Sequence, residues 1–484
     1  RRSALDPADP DRYTTHMPAR SLLIALLAAG ACAAEPAAPD EADARAALRR
    51  AVAFFRTAVA VAGGYVWRYS AERATIWVQP PGTPTVGQAL LDAYELTGET
   101  DCLDAARAAG QALLRGQLVS GGWTAFIPFD AARRRPWAFR VDGAAAGTRD
   151  LSSLDDDTTQ SALGFLMQLD RVLKFADRDI HAAAELALRG LLTAQFDNGG
   201  WPQAFPRPAH AAISADTRAA IPSDWPRAFP GEDEYWFRPT LNDGVMADVI
   251  RTLFAAAEVY GDERYRAAAE RGGRFLLRAQ LPEPQPGWAQ QYDFLMRPCW
   301  ARRFEPPAVS GGEARGVLRT LLALYERTGD RRWLAPIPRA LEYYRSLRLP
   351  DGRLARFYEL GTGRPLYLTR AYELTHSDAD LPTHYAFKVN DWTDSLAARY
   401  ERLARLDAAA LARLRTPAPP RLTPRLTAAA AEAIATLDDR GAWVTAGRLQ
   451  AHGPDDDTRQ IIETTVFCER LRTLARYIAA SQTE

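Results

Sequence analysis

The sequence has few or none of several features on which common enzyme chemistries depend. Only two of its 60 basic residues are lysines, Lys174 and Lys388, so a basic catalytic residue is expected to be arginine or histidine. No cysteines have the CxxC spacing of a zinc site, and Cys102, Cys299 and Cys468 are either partly paired or buried thiols. Nucleophile-elbow and phosphate-loop motifs are also absent. The sequence therefore argues against zinc, serine-hydrolase and nucleotide chemistry.

The sequence also has no excess of charge of either sign. Lys+Arg and Asp+Glu both number 60, and a protein that coats nucleic acid needs a basic excess, so no nucleic-acid partner is expected. Hydrophobic residues make up 47% of the 484 positions and charged residues 25%, which excludes a wholly disordered chain. We expect a soluble, monomeric protein with a sizeable core.

The one strongly apolar run lies near the N-terminus. Residues 1–16 have the character of an upstream segment, and Met17 is the expected start of a signal peptide over 17–34. This predicts a secreted or periplasmic protein. A lipid anchor at Cys32 is the alternative, although the residues before it make a poor lipobox. No later segment reaches the roughly 18 apolar residues that a membrane-spanning helix needs.

The rest of the chain repeats pairs of amphipathic segments with apolar residues at i, i+3, i+4 and i+7. The pairs are Gly87–Thr97 with Leu103–Leu118, Thr158–Phe175 with His181–Gln195, Val245–Val259 with Arg264–Gln280, and Glu313–Arg327 with Trp333–Leu347. Asp43–Val61 and Glu463–Ala480 are further helical segments. The repeat predicts an all-α fold in which helix pairs form an (α/α) toroid or partial barrel. Its catalytic domain is expected at 41–405, followed by a Pro-rich linker at 406–425 and a C-terminal helical region at 426–484.

In such a repeat, every connection from a second helix to the next first helix lies on the same rim. These connections hold the unusual residues of the sequence: 154–159, 199–206, 240–246, 300–310 and 354–370. Long loops carrying polar chemistry on one rim are typical of a functional site.

Two of these rim segments are acidic helix starts. Asp155, Asp156 and Asp157 precede one helix, and Asn242 and Asp243 precede another. Helix capping is one interpretation. Three adjacent negative charges repel each other, however, and favour a bound cation. Oxygen ligands without clustered histidine or cysteine indicate Ca²⁺ or Mg²⁺.

Arginines crowd two other rim loops, at positions 302, 303, 356, 364 and 370. They are either solvated surface charges or forks that bind carboxylates in bidentate fashion. Together with an acidic cation site, they favour an anionic substrate bridged by a metal ion.

Trp123 and Trp201 follow Gly-Gly turns and are either packing residues or platforms for a sugar ring.

Four stretches resemble the family 10 polysaccharide lyases, the pectic acid lyases. They are GGWPQ at 199–203, NDG at 242–244, RRFEPPAVSGGE at 302–313 and ARFYELGTGRP at 355–365. The resemblance covers roughly Ala47–Arg370, with departures at 155–159 and an insertion at about 207–237. It implies an (α/α) toroid-like fold and Ca²⁺-dependent β-elimination of polygalacturonate (pectate).

The resemblance also implies roles for individual residues. Arg302 corresponds to the family's Brønsted base, and Asp155 and Asp243 to its acidic site residues, to which we add Asp156 as a metal ligand. Arg356 and Arg370 correspond to substrate-binding arginines. Further substrate contacts are expected from Arg364, Trp201 and Asn242.

Two other functions fit parts of the sequence. The segments Gln117–Trp123 and Gln195–Trp201 resemble the QW repeats of terpene cyclases, although the leading acid of the cyclase motif is Leu154 here. A secreted, non-catalytic glycan-binding toroid is the other alternative.

Overall fold

The structure is a computed structural model that describes residues 38–68, 75–143, 145–206, 213–231, 234–416, 418–449 and 457–482. The predicted signal peptide and Cys32 lie outside these residues. Within the described ranges no helix has the length and apolar character that a membrane span requires. Cys102, Cys299 and Cys468 are free thiols, and the first and last of them are buried.

The helices agree with the predicted pairs to within a few residues, since the 3.6-residue apolar period is strong in each. They are α1 (Glu41–Phe54), α2 (Thr83–Thr97), α3 (Thr100–Leu114), α4 (Ala131–Arg134), α5 (Thr158–Val172), α6 (Arg178–Ala194), α7 (Val245–Tyr260), α8 (Glu263–Arg278), α9 (Glu313–Thr328), α10 (Ile337–Ser346), α11 (Thr393–Ala404), α12 (Ala408–Arg415), α13 (Pro424–Ala435) and α14 (Thr464–Ser481). A π-helical turn, Phe55–Val59, extends α1, and 3₁₀ turns occupy Arg140–Asp142, Asp155–Asp157, Tyr235–Phe237, Asn242–Gly244 and Arg331–Leu334.

Short strands occupy the connections between the helix pairs. They are β1 (Thr75–Trp77), β2 (Phe126–Pro128), β3 (Leu151–Ser153), β4 (Ala204–Pro206), β5 (Val309–Ser310), β6 (Leu354–Ala355), β7 (Phe357–Tyr358), β8 (Pro365–Leu368), β9 (Leu374–Thr375), β10 (Lys388–Val389), β11 (Thr445–Ala446) and β12 (Gln460–Ile461). All pairings are antiparallel: β1 with β2, β3 with β4, β6 with β10, β11 with β12, and a four-stranded sheet in the order β5-β7-β8-β9. Each described strand lies in a connection that leads into a first helix, so these connections build one rim.

The helices form an inner and an outer layer. The inner helices α2, α5, α7 and α9 pack side by side in that order, while α3, α6 and α8 cover them from outside. Buried apolar side chains of both layers make one continuous core. The fold is therefore an all-α (α/α) toroid of repeated helix pairs, as predicted.

The C-terminal helices pack against the start of the chain. Helix α14 packs against both α1 and α2 and belongs to the same core. Phe467 stacks on Phe55 with ring centroids 3.5 Å apart, and Arg472 pairs with Asp92 at 2.8 Å. Within the predicted C-terminal helical region at 426–484, α14 is thus packed into the same core as the first helices. The expected linker at 406–425 contains α12, because Asp407 caps it and the helix packs on α9.

The tryptophans that follow glycine turns serve packing. Trp123, Trp201 and Trp288 are fully buried, and Trp443 nearly so. Each indole N–H donates to a main-chain carbonyl of the preceding outer helix: Trp123 to Leu113, Trp201 to Leu191, Trp288 to Leu276 and Trp443 to Ala433, at 2.8–2.9 Å. The prediction that Trp201 binds substrate is wrong, because a fully buried ring presents no face to a sugar.

The glycine of one such turn is required by a close approach. Gly199 has φ +95°, and a Cβ atom there would lie 2.1 Å from the main-chain oxygen of Arg271 in α8. Gly329 also has a positive φ, +72°, but a Cβ atom there would meet nothing within 4 Å. The first glycine joins two repeats, whereas the second only ends a helix.

We therefore expect Gly199→Ala to destabilise the protein more than Gly329→Ala. Both substitutions carry the left-handed backbone penalty of about 1–2 kcal/mol, but only the first forces α8 away from the turn. Urea unfolding of the two variants measures the difference. Equal losses of stability would show that the turn does not depend on its contact with α8.

Candidate active site

Two helix starts bring three carboxylates together on the rim. The turn Asp155–Asp157 leads into α5, and the turn Asn242–Gly244 leads into α7, the neighbouring inner helix. Carboxylate oxygens of Asp155, Asp156 and Asp243 lie within 4.8 Å of one another. The structure thus places the three residues that the sequence suggested as metal ligands in one half-buried cluster.

The two turns have the same backbone shape. Asp156 and Asp243 both lie in the left-handed region, with φ 48° and 47°, and the next residues, Asp157 and Gly244, also have positive φ. Asp156 is therefore the counterpart of Asp243, and Asp155 is the counterpart of Asn242. Left-handed backbone is uncommon for residues other than glycine and concentrates at functional sites. The same turn thus occurs in two successive repeats, and the carboxylates of both turns point to one position.

The capping interpretation of these acids does not hold in the structure. Asp157 and Gly244 stand at the cap positions of α5 and α7, and neither helix start has a side-chain capping bond. Asp157 instead pairs with Arg251 at 2.9 Å, outside the cluster. The other carboxylates of the two turns, those of Asp155, Asp156 and Asp243, face each other where the starts of α5 and α7 meet.

Burial and mutual repulsion raise the pKa of all three clustered carboxyls. Burial, with the charge of Asp156, raises the pKa of Asp155 to about 6, and burial, with the charge of Asp243, raises the pKa of Asp156 to about 7. The pKa of Asp243 is also well above its usual value, for burial and the charge of Asp155. The charge of Arg302 opposes these shifts without cancelling them. Such a cluster is electrostatically unfavourable when fully ionised and metal-free.

The hydrogen bonds of the cluster leave room for a cation. Gln79 donates to Asp156 Oδ2 at 2.6 Å, and Asn242 donates to Asp243 Oδ2 at 2.6 Å. Asp155 Oδ1 is buried and has no hydrogen-bond partner among the described residues. A buried oxygen without a partner, in an all-oxygen donor set, fits Ca²⁺ or Mg²⁺.

Asn242 is buried and positions Asp243, which corrects its predicted role as a substrate contact.

Arg302 is fixed beside the cluster by an ion pair. Its Nε and Nη2 atoms donate to the two carboxylate oxygens of Glu305 at 2.8 and 2.6 Å, and its guanidinium lies 4.8 Å from the centre of the Phe304 ring. Burial alone would lower the pKa of Arg302, but the charge and hydrogen bonds of Glu305 outweigh it and raise that pKa above its usual value. A lowered pKa, which a base role suggests, is absent from the free protein.

A hydrogen-bond network joins Arg302 to Arg356. The hydroxyl of Tyr385 donates to Glu305 Oε1 at 3.1 Å and accepts from Arg356 Nη1 at 3.2 Å. Arg356 also pairs with Glu313 at 3.1 Å and stacks over the Tyr385 ring at 4.6 Å. Both guanidinium groups are therefore held in fixed positions, as a site that binds carboxylates requires.

The sequence did not single out Glu305, Glu313 or Tyr385. The two glutamates belong to the RRFEPPAVSGGE stretch, so a search for acids near the candidate arginines would have found them. Tyr385 lies 80 residues from Glu305 along the chain and has no local motif. Only the packing of the 381–389 segment against the 302–305 loop brings it to the site.

The other rim arginines lie apart from the carboxylates. Arg303 stacks over Tyr372 at 4.7 Å and donates to a main-chain carbonyl, so it points away from its neighbour Arg302. Arg370 is 70% exposed and pairs with Asp380 at 3.3 Å. Arg364 lies exposed in the β7–β8 turn. For the residues described, no direct contact links Arg364 or Arg370 to the cluster.

An open cavity of about 630 Å³ begins at the cluster. Its wall includes Asp243 at the start of α7, Arg356, the first half of α9 and residues 386–392. Asp243 of the cluster and Arg356 of the arginine network therefore face a space large enough for several sugar units.

The chain matches one known protein family by sequence. Residues 221–353 match the family described as Pectic acid lyase. This range contains Asp243, Arg302, Glu305 and Glu313, whereas Asp155, Asp156 and Arg356 lie outside it. No protein with curated annotation matches the chain in sequence.

Several solved structures are distantly similar. The family 10 polysaccharide lyase from Cellvibrio cellulosa is 19% identical with a TM-score of 0.46, and the match covers 61% of this chain and 92% of that one. A variant of that lyase in complex with trigalacturonic acid has a TM-score of 0.45 at the same identity and coverage. D-mannose isomerase is 14% identical with a TM-score of 0.45, over 92% of this chain and 99% of that one. These similarities are too distant to assign an activity.

The family match coincides with the loops that hold Asp243 and Arg302. Residues 221–353 of this chain are thus similar in sequence to the Pectic acid lyase family, as the sequence motifs indicated.

Proposed function

We propose that the protein is a secreted, Ca²⁺-dependent polysaccharide lyase that cleaves polygalacturonate by β-elimination. One observation carries the proposal: Arg302 lies close enough to the carboxylate cluster to act on its charges, Asp243 and Arg356 line one cavity, and Asp243 and Arg302 both fall in the range that matches the Pectic acid lyase family. Opposite charges placed side by side suit a substrate that carries a carboxylate on each sugar. A terpene precursor has no such repeating anion.

Asp155, Asp156 and Asp243 would hold the Ca²⁺ ion. When bound, the ion would draw charge from the uronate carboxylate and thereby make the hydrogen on C5 more acidic. The protein side of this site is already assembled, because the two left-handed turns fix the carboxylates. Their mutual repulsion favours ion binding over the metal-free state.

The arginines would position the sugar and move its proton. Arg356 binds the uronate carboxylate from the side opposite the cluster. Arg302 has its Nε and Nη2 atoms held by Glu305, which leaves Nη1 to face the sugar and take the C5 proton. The C5–H electrons form the C4–C5 double bond, and the C4–O4 bond breaks with its electron pair on O4. No water adds across the bond, and the O4 leaving group takes up a proton from the solvent.

The raised pKa of Arg302 limits the proton transfer from C5. In the free protein the side chain is almost entirely protonated at neutral pH. A base is most effective when its pKa lies near the working pH, and a Ca²⁺ ion at the adjacent cluster would lower the pKa of Arg302. Glu305 fixes the direction of the guanidinium.

We expect Arg302→Ala to reduce the rate of elimination on polygalacturonate by about 10²–10⁴-fold, the usual contribution of a general base. Arg302→Lys should recover little, because one ammonium group cannot keep both bonds to Glu305 and face the sugar. Arg303→Ala is the matched control and should stay near the parent rate. Absorbance of the unsaturated product at saturating Ca²⁺ measures all three. Near-parent turnover in Arg302→Ala would assign the base elsewhere.

Asp156→Asn tests the cation site through stability. The raised pKa means that the folded protein binds more protons than the unfolded chain between about pH 4 and pH 7, so stability falls as pH rises through this window. At pH 8 with chelator, the variant should melt a few degrees higher than the parent, since one repelling charge is gone. Excess Ca²⁺ should then stabilise the parent by about 2.7 kcal/mol at 100 times Kd, and the variant much less.

Asp157→Asn is the control for this experiment, because Asp157 is adjacent in sequence but lies outside the cluster. It should lose its ion pair with Arg251 and keep the full response to Ca²⁺. A parent protein that Ca²⁺ does not stabilise, or an Asp156→Asn variant that melts lower in chelator, would contradict the assignment.

A further inference from the structure

The cavity extends beyond the residues assigned above, along one face of α9. Arg315, Gly316 and Arg319 line this face, and all three are exposed. Arg315 and Arg319 are one helical turn apart, so their side chains project in similar directions. None of these residues has a role in the proposed reaction.

Arg315 and Arg319 differ from the other cations of the cavity in their pairing. Arg356 is paired with Glu313, and Lys388 is paired with Asp351 and Asp378. In the described parts of the chain, neither Arg315 nor Arg319 has an ion pair or a side-chain hydrogen bond. Two guanidinium groups in the wall of a concave site are therefore available to an anionic ligand.

Gly316, between them, provides an independent observation. It lies inside α9 in ordinary helical backbone, where glycine is less favourable than alanine. A Cβ atom there would meet nothing within 4 Å, so packing does not require a glycine. Its effect is to leave the helix backbone bare where the cavity passes over it, which gives a sugar ring room to approach.

We propose that Arg315 and Arg319 form a second uronate-binding subsite, with Gly316 as the surface over which the sugar lies. The subsite would hold the carboxylates of sugars next to the one that is cleaved. This inference rests on the proposed function and names where the rest of the polymer binds. Cations one helical turn apart suit the repeating carboxylates of a polyuronate chain.

The acidic residues of the cavity favour this ligand over a denser anion. Asp243 and Glu313 share the wall with the arginines. A polyphosphate would be repelled by both carboxylates. A uronate chain carries one charge per sugar, and its hydroxyl groups can donate to acids while its carboxylates meet the arginines.

The test is a binding titration with tetragalacturonate in the presence of Ca²⁺, in an Arg302→Ala background that prevents cleavage. We expect Arg315→Gln and Arg319→Gln each to weaken binding by about 3- to 10-fold. The double variant should lose more and show a weaker dependence on salt. Arg189→Gln, an exposed residue of the outer helix α6, is the matched control and should bind as the parent does. Neutral cellotetraose should bind equally to all variants.

Gly316→Leu and Gly316→Ala form a second arm that does not depend on charge. Leucine fills the space above α9 and should weaken tetragalacturonate binding, while the protein stays folded. Alanine should raise the melting temperature, because nothing obstructs its methyl group and helix propensity improves. This arm separates a blocked ligand from a damaged fold.

The outcomes separate the subsite from the proposed function. Parent-like binding of tetragalacturonate by both arginine variants, with elimination intact in the active background, would overturn the subsite alone. Absence of elimination on polygalacturonate would overturn the proposed function, and arginine-dependent binding of the acidic oligosaccharide would still support the subsite. Equal losses for the acidic and the neutral tetrasaccharide would also overturn it.

Discussion

The repulsion between three carboxylates at the joint of α5 and α7 is the constraint on which the site depends. Two repeats build the same left-handed turn, and their meeting places Asp155, Asp156 and Asp243 within reach of one ion. The toroid makes this possible because neighbouring inner helices begin on the same rim. Without a cation, the charge of Arg302 offsets part of the repulsion and protonation relieves the rest, which the raised pKa values reflect.

The two arginines beside the cluster are held in fixed positions by hydrogen bonds. Glu305, Tyr385 and Glu313 connect Arg302 to Arg356 and hold both guanidinium groups in place. Asp243 and Arg356 both line the cavity, where one uronate would contact the anionic and the cationic parts of the site. Glu305 fixes the direction of the Arg302 guanidinium through two hydrogen bonds.

The sequence predicted what local patterns determine. The 3.6-residue period of apolar residues predicted the helix pairs, and their repetition predicted that the connecting loops share one rim. The acidic residues at two helix starts indicated Asp155 and Asp243 as site residues. Contacts between distant segments were not accessible in this way: Tyr385 reaches Glu305 across 80 residues, and α14 joins α1 from the other end of the chain. Trp201 was misassigned because a glycine turn before an aromatic residue has the same pattern whether the ring is buried or exposed.

The central claim is that this rim performs metal-dependent elimination on a polyuronate. The most direct measurement is the absorbance of unsaturated uronate formed by the parent protein on polygalacturonate, first with Ca²⁺ and then with excess chelator. We expect a steady rise with Ca²⁺ that chelator abolishes and added Ca²⁺ restores. New reducing ends without the unsaturated product would indicate hydrolysis, and a rise unaffected by chelator would contradict the role of the carboxylate cluster.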